Sequence, residues 1–394
     1  MKKIAVFTGT RAEYGLLCPL LRKLANHSEL KLQLIVSGMH LSPQFGETWR
    51  TIEADGFTID AKVEMLLASD TSCGVAKSMG LGAIGFADAL ERLSPDCLVI
   101  LGDRYEALAI AQVAAVMRIP IAHLHGGEIT EGAYDDSIRH AITKLSHYHF
   151  VASDEYRQRV IQMGEIPENV WNVGALGIEN IRTVPRIPLA EINEKFNLQI
   201  RQPYFLVTYH PVTVGDEDSE KSFENLLSVL DEFPQHQALL TYPNSDNGGH
   251  KLIQMLEQYA SERLGKVFAV PSLGMQCYLS AVSCSDAVIG NSSSGVIEVP
   301  SLGTPSVNVG VRQKGRLAAE SVIHAGTSKK ELKQSIDYAL SADARRISNT
   351  CENPYGTGDG KTAATDSTDA ETPMEFHESD IPRAAPPESS RPRG

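Results

Sequence analysis

Long hydrophobic runs are missing from this 394-residue chain. Its apolar stretches are strand-length or broken by polar residues, far short of the roughly 20 residues a membrane helix needs, so no spanning segment is expected. The start, Met1-Lys2-Lys3, then Ile4–Phe7, then Thr8-Gly9-Thr10-Arg11, is too short for the apolar core of an export signal; a cytoplasmic protein is expected. Cysteine is sparse: Cys18, Cys73, Cys97, Cys277, Cys284 and Cys351 form no CxxC pair, which speaks against a disulfide framework or a zinc knuckle. Aromatic residues amount to 6%, too few for a platform that stacks single-stranded nucleic acid. Basic charge is in deficit, with 36 Lys and Arg against 49 Asp and Glu and a net charge of −13. That balance disfavours nucleic acid and anionic membranes as partners and leaves room only for a local basic pocket for phosphate.

What is present is a repeated alternation of strands and helices. Lys3–Phe7, Leu30–Val36, Cys97–Leu101 and Pro120–His125 read as buried strands, with another at His149–Ala152. Gly15–Asn26, Gly85–Leu93 and Ala107–Met117 read as helices between them. The pattern restarts with strands at Tyr204–Thr208, Ala238–Thr241, Val267–Ala269, Ala287–Ile289 and Pro305–Val309. Helices at Glu220–Phe233, Leu252–Leu264 and Gln276–Ser283 separate them. Such spacing implies βαβ units and parallel sheets, and apolar runs with little alternation imply strands covered on both faces. The class is therefore α/β, with two Rossmann-like domains, 1–180 and 181–360, joined through a polar, Pro-containing region near 178–203. Ligands of such sheets bind beyond the carboxyl ends of the strands. Residues 361–394, rich in Ser, Thr, Pro and acidic residues, read as a disordered tail without chemistry.

Each informative motif follows an expected strand. In Thr8-Gly9-Thr10-Arg11, Gly9 allows a tight turn whose amides, with Arg11, can meet phosphate; an ordinary βα turn explains it as well. Gly102-Asp103-Arg104-Tyr105-Glu106 sets two carboxylates around an arginine, suited either to proton transfer or to capping the next helix through Asp103 and Glu106. His123-Leu124-His125-Gly126-Gly127-Glu128 places two histidines on one side of an extended segment. With His140, His147 and His149 nearby it invites a metal reading, but no metal-ligand spacing such as HExxH occurs. His147 and His149 read instead as packed, hydrogen-bonded residues. Asp135-Asp136 and Arg139 come after Glu128, and His210 follows the Tyr204–Thr208 strand. Gly290-Asn291-Ser292-Ser293-Ser294-Gly295 opens a helix carrying Glu298; its hydroxyls and amides suit a diphosphate, and Glu298 suits ribose hydroxyls. Three serines exceed what an N-cap needs.

Together the segments TGTRAEYG, SGMH, GDRYE, HLHGGE, DDSIRHAITKLSH, YHPVT, GNSSSGVIEVPSLGTPSVNVGVRQKGR and NPYGTGDG occur in order from residue 1 to about 360. They resemble the hydrolysing UDP-N-acetylglucosamine 2-epimerases of bacterial sialic-acid biosynthesis. The resemblance implies a GT-B fold with the active site in the cleft between two Rossmann-like domains. It implies conversion of UDP-GlcNAc and water to UDP and N-acetylmannosamine, by anti elimination to 2-acetamidoglucal and then hydration. No metal or other cofactor is implied, and a homodimer or a dimer of dimers is. Carried over by position, Asp103, Asp135 and Asp136 are the proton-transfer carboxylates, with Glu128 a further candidate; Arg139 orients them or binds diphosphate. His123 and His210 line the cleft. Arg11, Arg104, His210, Ser292, Ser293, Ser294, Glu298 and Arg312 hold the UDP moiety.

Two departures matter. Many hydrolysing members carry Glu where this chain has His125, so the second proton-transfer group is either His125 or Glu128. Non-hydrolysing relatives carry Gln-His-Arg-Glu where this chain has Met39-His40-Leu41-Ser42, which favours the hydrolysing branch. The same chemistry on UDP-2,4-diacetamido-2,4,6-trideoxyglucose is the alternative; a non-hydrolysing 2-epimerase, a GT-B glycosyltransferase and a non-catalytic binder are weaker ones. Family members close with an amphipathic helix after the NPYG stretch, where this chain runs into its tail.

Overall fold

The computed structural model describes residues 1–69, 71–131, 134–212, 218–243 and 249–356. The tail read as disordered, the last four residues of NPYGTGDG and Thr213 of YHPVT lie outside the described residues.

The first sheet contains β1 (Lys2–Thr8), β2 (Leu30–Ser37), β3 (Ala61–Val63), β4 (Cys97–Leu101), β5 (Ile121–Leu124), β6 (Tyr148–Val151) and β7 (Val170–Asn172). Its order is β3-β2-β1-β4-β5-β6-β7. The second contains β8 (Tyr204–Thr208), β9 (Gln237–Thr241), β10 (Val267–Val270), β11 (Ala287–Gly290), β12 (Ser306–Val309) and β13 (Val322–Ala325), ordered β10-β9-β8-β11-β12-β13. Every pairing is parallel, for example Ile4 opposite Cys97 and Phe205 opposite Ala238. These are two Rossmann-like sheets of the GT-B type.

Alternation along a strand sends neighbours to opposite faces, and both faces are covered. In β1, Ile4 and Val6 pack with Leu17, Leu20 and Leu21, whereas Ala5 and Phe7 pack with Phe86 and Leu90. In β8, Phe205 and Val207 join one core while Tyr204 and Leu206 join another. The sequence therefore shows continuous apolar runs at Cys97–Leu101 and Tyr204–Thr208, both fully buried.

Strand order reverses between β1 and β4 in one sheet and between β8 and β11 in the other. These switch points are where an open parallel sheet receives ligands. The domains meet through glycines that allow close approach. A Cβ on Gly15 would lie 3.1 Å from Met275 Cε, and one on Gly274 would lie 2.6 Å from Arg11 Nη2. A fifth core joins Val151, Tyr156 and Ile178 of the first domain to Val296, Ile297 and Tyr355. Tyr355 seals it: its hydroxyl lies 2.9 Å from that of Tyr156, and its carbonyl accepts from the Ala175 amide at 3.0 Å.

The region read as a connection, 178–203, contains most of helix Leu176–Thr183 and all of helix Leu189–Phe196. Helices Asp135–Leu145, Asp154–Gln162, Lys329–Ala339 and Ala342–Thr350, and the short strands β3, β7 and β13, extend the pattern read from the sequence.

Candidate active site

The turn after β1 is not open to phosphate. Glu13 Oε2 accepts from the Gly9 amide at 2.7 Å and the Thr10 amide at 3.0 Å, within a capping box completed by Thr10. The turn's amides are thus used inside the first domain, as an ordinary βα turn uses them, and are not available to phosphate. Burial pushes the Glu13 carboxyl up to about 7, with neighbouring Arg104 opposing the rise and Glu106 adding to it. Arg11 instead lies across the cleft against Gly274.

The end of β4 excludes the capping reading of Asp103. The N-cap of helix Tyr105–Val116 is Arg104, and no side chain caps it. Glu106 is held by Arg104 through two hydrogen bonds of 3.1 Å. The Asp103 carboxylate pairs with Arg139 Nη2 and retains 21% exposure, while Arg139 retains 1%. Arg139 also donates through Nη1 to the Glu128 carbonyl at 2.9 Å and to Thr130 Oγ1 at 3.1 Å. A buried guanidinium with three fixed partners makes a rigid anchor for Asp103.

His125 follows β5 in the left-handed region, with φ +63°. Its Nε2 accepts from the Leu176 amide at 3.2 Å, which assigns the proton to Nδ1, donating to Glu128 Oε1 at 2.8 Å. Glu128 Oε2 lies 3.1 Å from Arg316 Nη2 of the second domain. Burial pushes the Glu128 carboxyl up, but Arg316 and the His125 hydrogen bond outweigh it and hold the group below the usual carboxylate range. The two candidates for the second proton-transfer group therefore engage each other and the opposite domain. His123 lies deeper, bonding the Gly102 carbonyl through Nε2 at 2.7 Å, with Thr143 Oγ1 3.2 Å from Nδ1.

Asp135 and Asp136, adjacent on the first turn of helix Asp135–Leu145, face different ways. Asp135 Oδ2 lies 3.7 Å from Arg312 Nη2, across the cleft. Asp136 Oδ1 accepts from the Thr130 amide at 2.6 Å, and its Oδ2 lies 3.6 Å from His140 Nε2.

In the second domain Gly290 has φ +142°, and a Cβ there would lie 1.9 Å from the Thr208 carbonyl oxygen, so only glycine fits. The next residue, Asn291, clamps His210: its Oδ1 accepts from the His210 amide at 2.6 Å and its Nδ2 donates to the His210 carbonyl at 2.8 Å. Its own carbonyl accepts from Gln313 Nε2 at 2.9 Å and Arg312 Nη1 at 3.5 Å. Neither Ser293 nor any other side chain caps the short helix Ser294–Ile297. Glu298 lies against Gly177 of the first domain, and its Oε2 is buried without a hydrogen-bond partner among the described residues. Burial pushes this carboxyl up. Among the described residues no cluster of His, Cys, Asp and Glu is arranged to hold a metal.

The two switch points thus face each other across a cleft, with Asp103, Arg139, Asp135 and Glu128 on one side and His210, Arg312 and Arg316 on the other. A family model described as UDP-N-acetylglucosamine 2-epimerase matches residues 22–367. The chain belongs to the UDP-N-acetylglucosamine 2-epimerase family. It is an enzyme acting on nucleotide-sugars. A relative from Campylobacter jejuni, named GDP/UDP-N,N'-diacetylbacillosamine 2-epimerase (hydrolyzing), is 41% identical over 82% of this chain and 84% of its own. Polysialic acid biosynthesis protein P7 of Escherichia coli is 36% identical over 90% of each. The Methanocaldococcus jannaschii UDP-GlcNAc 2-epimerase, solved with UDP-GlcNAc and UDP, superposes with a TM-score of 0.74 at 18% identity, covering 90% of this chain and 96% of that one.

Sequence reasoning did not single out Asn291, Arg316 or Tyr355 for roles in this epimerase, although all three stand inside quoted motifs. Their partners are distant in sequence, and only a buried polar residue beside a glycine, as at Asn291, hints at a clamp.

Two buried histidines make the stability of the epimerase sensitive to acid. Burial pushes His123 down to about 3 and His40, bonded to Thr8 and Thr48, down to about 4. A group with a depressed folded pKa stabilises above its unfolded pKa, here 6.5, and loses that contribution as pH falls. Glu13, between 4.5 and about 7, and Glu298, also raised by burial, run the other way, whereas His149, lowered by burial, and Glu128, held low by Arg316, add to the loss. Lowering the pH from 7 to 5 is expected to lower the melting temperature in calorimetry; a flat or rising profile would contradict these assignments.

Proposed function

We propose that this enzyme is a hydrolysing 2-epimerase that converts a UDP-2-acetamido-2-deoxyglucose-type sugar and water to UDP and the free manno-configured sugar. The observation that carries the reading is the Asp103–Arg139 pair at one switch point facing Arg312 and His210 at the other. Elimination breaks C1–O and C2–H and forms C1=C2; hydration then returns a proton to C2 and hydroxide to C1. Departure of UDP makes C1 electron-poor and acidifies C2–H, so an arginine-paired carboxylate is basic enough to take that proton. Asp103 is the base in this reading, and Asp135 and Asp136 guide the water. Arg312, Arg11 and the Ser292–Ser294 segment receive the diphosphate. Glu298, with an unpaired buried oxygen, suits the ribose hydroxyls.

Two substrates share this chemistry: UDP-GlcNAc, giving N-acetylmannosamine for sialic-acid synthesis, and UDP-2,4-diacetamido-2,4,6-trideoxyglucose. The relative at 41% identity favours the second. Incubation with either UDP-sugar and no acceptor tests the class. Release of UDP with free manno sugar is expected, and release of UDP only when an acceptor is added would indicate glycosyl transfer instead. We further propose a cytoplasmic homodimer. Exposed Leu81 and Ile84 on helix Ser72–Leu93 lie in the same helical layer as Val116, which is 84% exposed at the end of its helix.

A further inference from the structure

The elimination chemistry uses C1 and C2 and leaves the far end of the sugar unassigned. A cavity of about 450 Å³ lies beyond the carboxyl ends of β2, β3 and β4, next to the Asp103 turn. Leu41 and Phe45 after β2, Met65 and Leu66 after β3, Val75 of helix Ser72–Leu93 and Tyr105 contribute to its wall. Its lining continues into the catalytic turn: a Cβ on Gly38, which also lines the cavity, would lie 3.3 Å from Glu106, the partner of Arg104. Gln44 and His250 line it as well, and Gln44 Nε2 lies 3.0 Å from His250 Nδ1, joining the two domains there.

In the 2-epimerase reading, with the diphosphate on the second domain and C1–C2 at Asp103, the C4 and C6 positions of the ring would project away from the diphosphate, toward this cavity. The wall is mixed, since Ser42, Glu64, Ser69 and Ser78 line the cavity too; a methyl group gains burial against its leucines, Phe45 and Met65, and a hydroxyl placed on that apolar part loses water without gaining a partner. Gln44 carries both a donor and an acceptor for an amide. We propose that this cavity is the specificity pocket of the enzyme, built for a sugar with a methyl at C6 and an acetamido group at C4, and that Leu66 and Val75 determine the preference. The proposal rests on the 2-epimerase reading above and adds the residues that choose between its two substrates.

The test is the ratio of kcat/KM for UDP-2,4-diacetamido-2,4,6-trideoxyglucose to that for UDP-GlcNAc. Each well-placed methyl is worth about 10- to 200-fold, so a ratio of at least about 100 is expected. Val75→Thr, which keeps the shape and adds a hydroxyl, and Leu66→Ser are each expected to lower the ratio at least about tenfold. UDP affinity measured by calorimetry shows that each variant is folded. A wild-type ratio near or below one, or a ratio unmoved in both folded variants, would overturn the pocket while leaving the epimerase reading intact. Turnover of neither sugar would overturn that reading, and the pocket with it.

Discussion

Asp103→Asn is expected to lower kcat/KM by about 10²–10⁴-fold, the range for removing a general base, with UDP affinity within about twofold of wild type. The substitution keeps the size and planarity of the side chain and leaves Arg139 its contacts to the Glu128 carbonyl and Thr130. What it removes is the negative charge that takes the C2 proton. Asp103 is suited to this role because it combines a fixed position with access: its partner Arg139 is fully buried, whereas the carboxylate itself reaches the cleft. A variant with undiminished turnover would move the base to Asp135 or Asp136. The two can be separated, because Asp135 faces Arg312 across the cleft while Asp136 is bonded to the Thr130 amide.

The second large effect concerns stability. Arg316→Ala leaves Glu128 buried with its charge partner gone, and breaking one side of a buried pair costs about 3–5 kcal/mol. For a protein of this domain size that corresponds to a melting temperature lower by roughly 6–20 °C. Arg316 also donates to Thr130 Oγ1 at 3.2 Å, so the loss reaches the loop that holds Arg139 and Asp136. The double variant Glu128→Gln, Arg316→Ala removes both charges and is expected to recover part of the loss. Calorimetry of the three proteins checks this. Equal melting temperatures for wild type and Arg316→Ala would mean that the pair is not buried in solution.

The sheets were legible because strands buried on both faces leave continuous apolar runs. The sequence pattern indicates helix Ser72–Leu93 only from Gly85 onward, because Gly74, Gly80 and Gly82 depress helix propensity. For three of the helix's glycines the structure gives a reason: a Cβ on Gly74 would lie 2.6 Å from Ser69 Oγ, one on Gly82 2.9 Å from Met65 Cε, and one on Gly85 2.6 Å from Val63 Cγ1. These three serve close packing on β3 and the segment after it, which local propensity cannot express; a Cβ on Gly80 would meet nothing. The strands β3, β7 and β13 are three or four residues long and carry little pattern of their own.

The candidate site was legible where motif and strand end coincide, as at Asp103, His125, His210 and Ser292, which the fold brings to the strand ends as expected. Local spacing could not decide whether Asp103 caps a helix or faces a cleft. That was settled by Arg139, which arrives from another helix. Likewise, the His125–Glu128 pair looked like two competing acids in sequence. In the fold they form one unit, completed by Leu176 and by Arg316 from the other domain.

Hydrolysis with inversion at C2 through loss of the C2 proton is read out by ¹H NMR of turnover in D₂O. A free manno-configured sugar carrying deuterium at C2 is expected, accompanied by one equivalent of UDP. A product that keeps its original hydrogen at C2, or that remains in the gluco configuration, would contradict it.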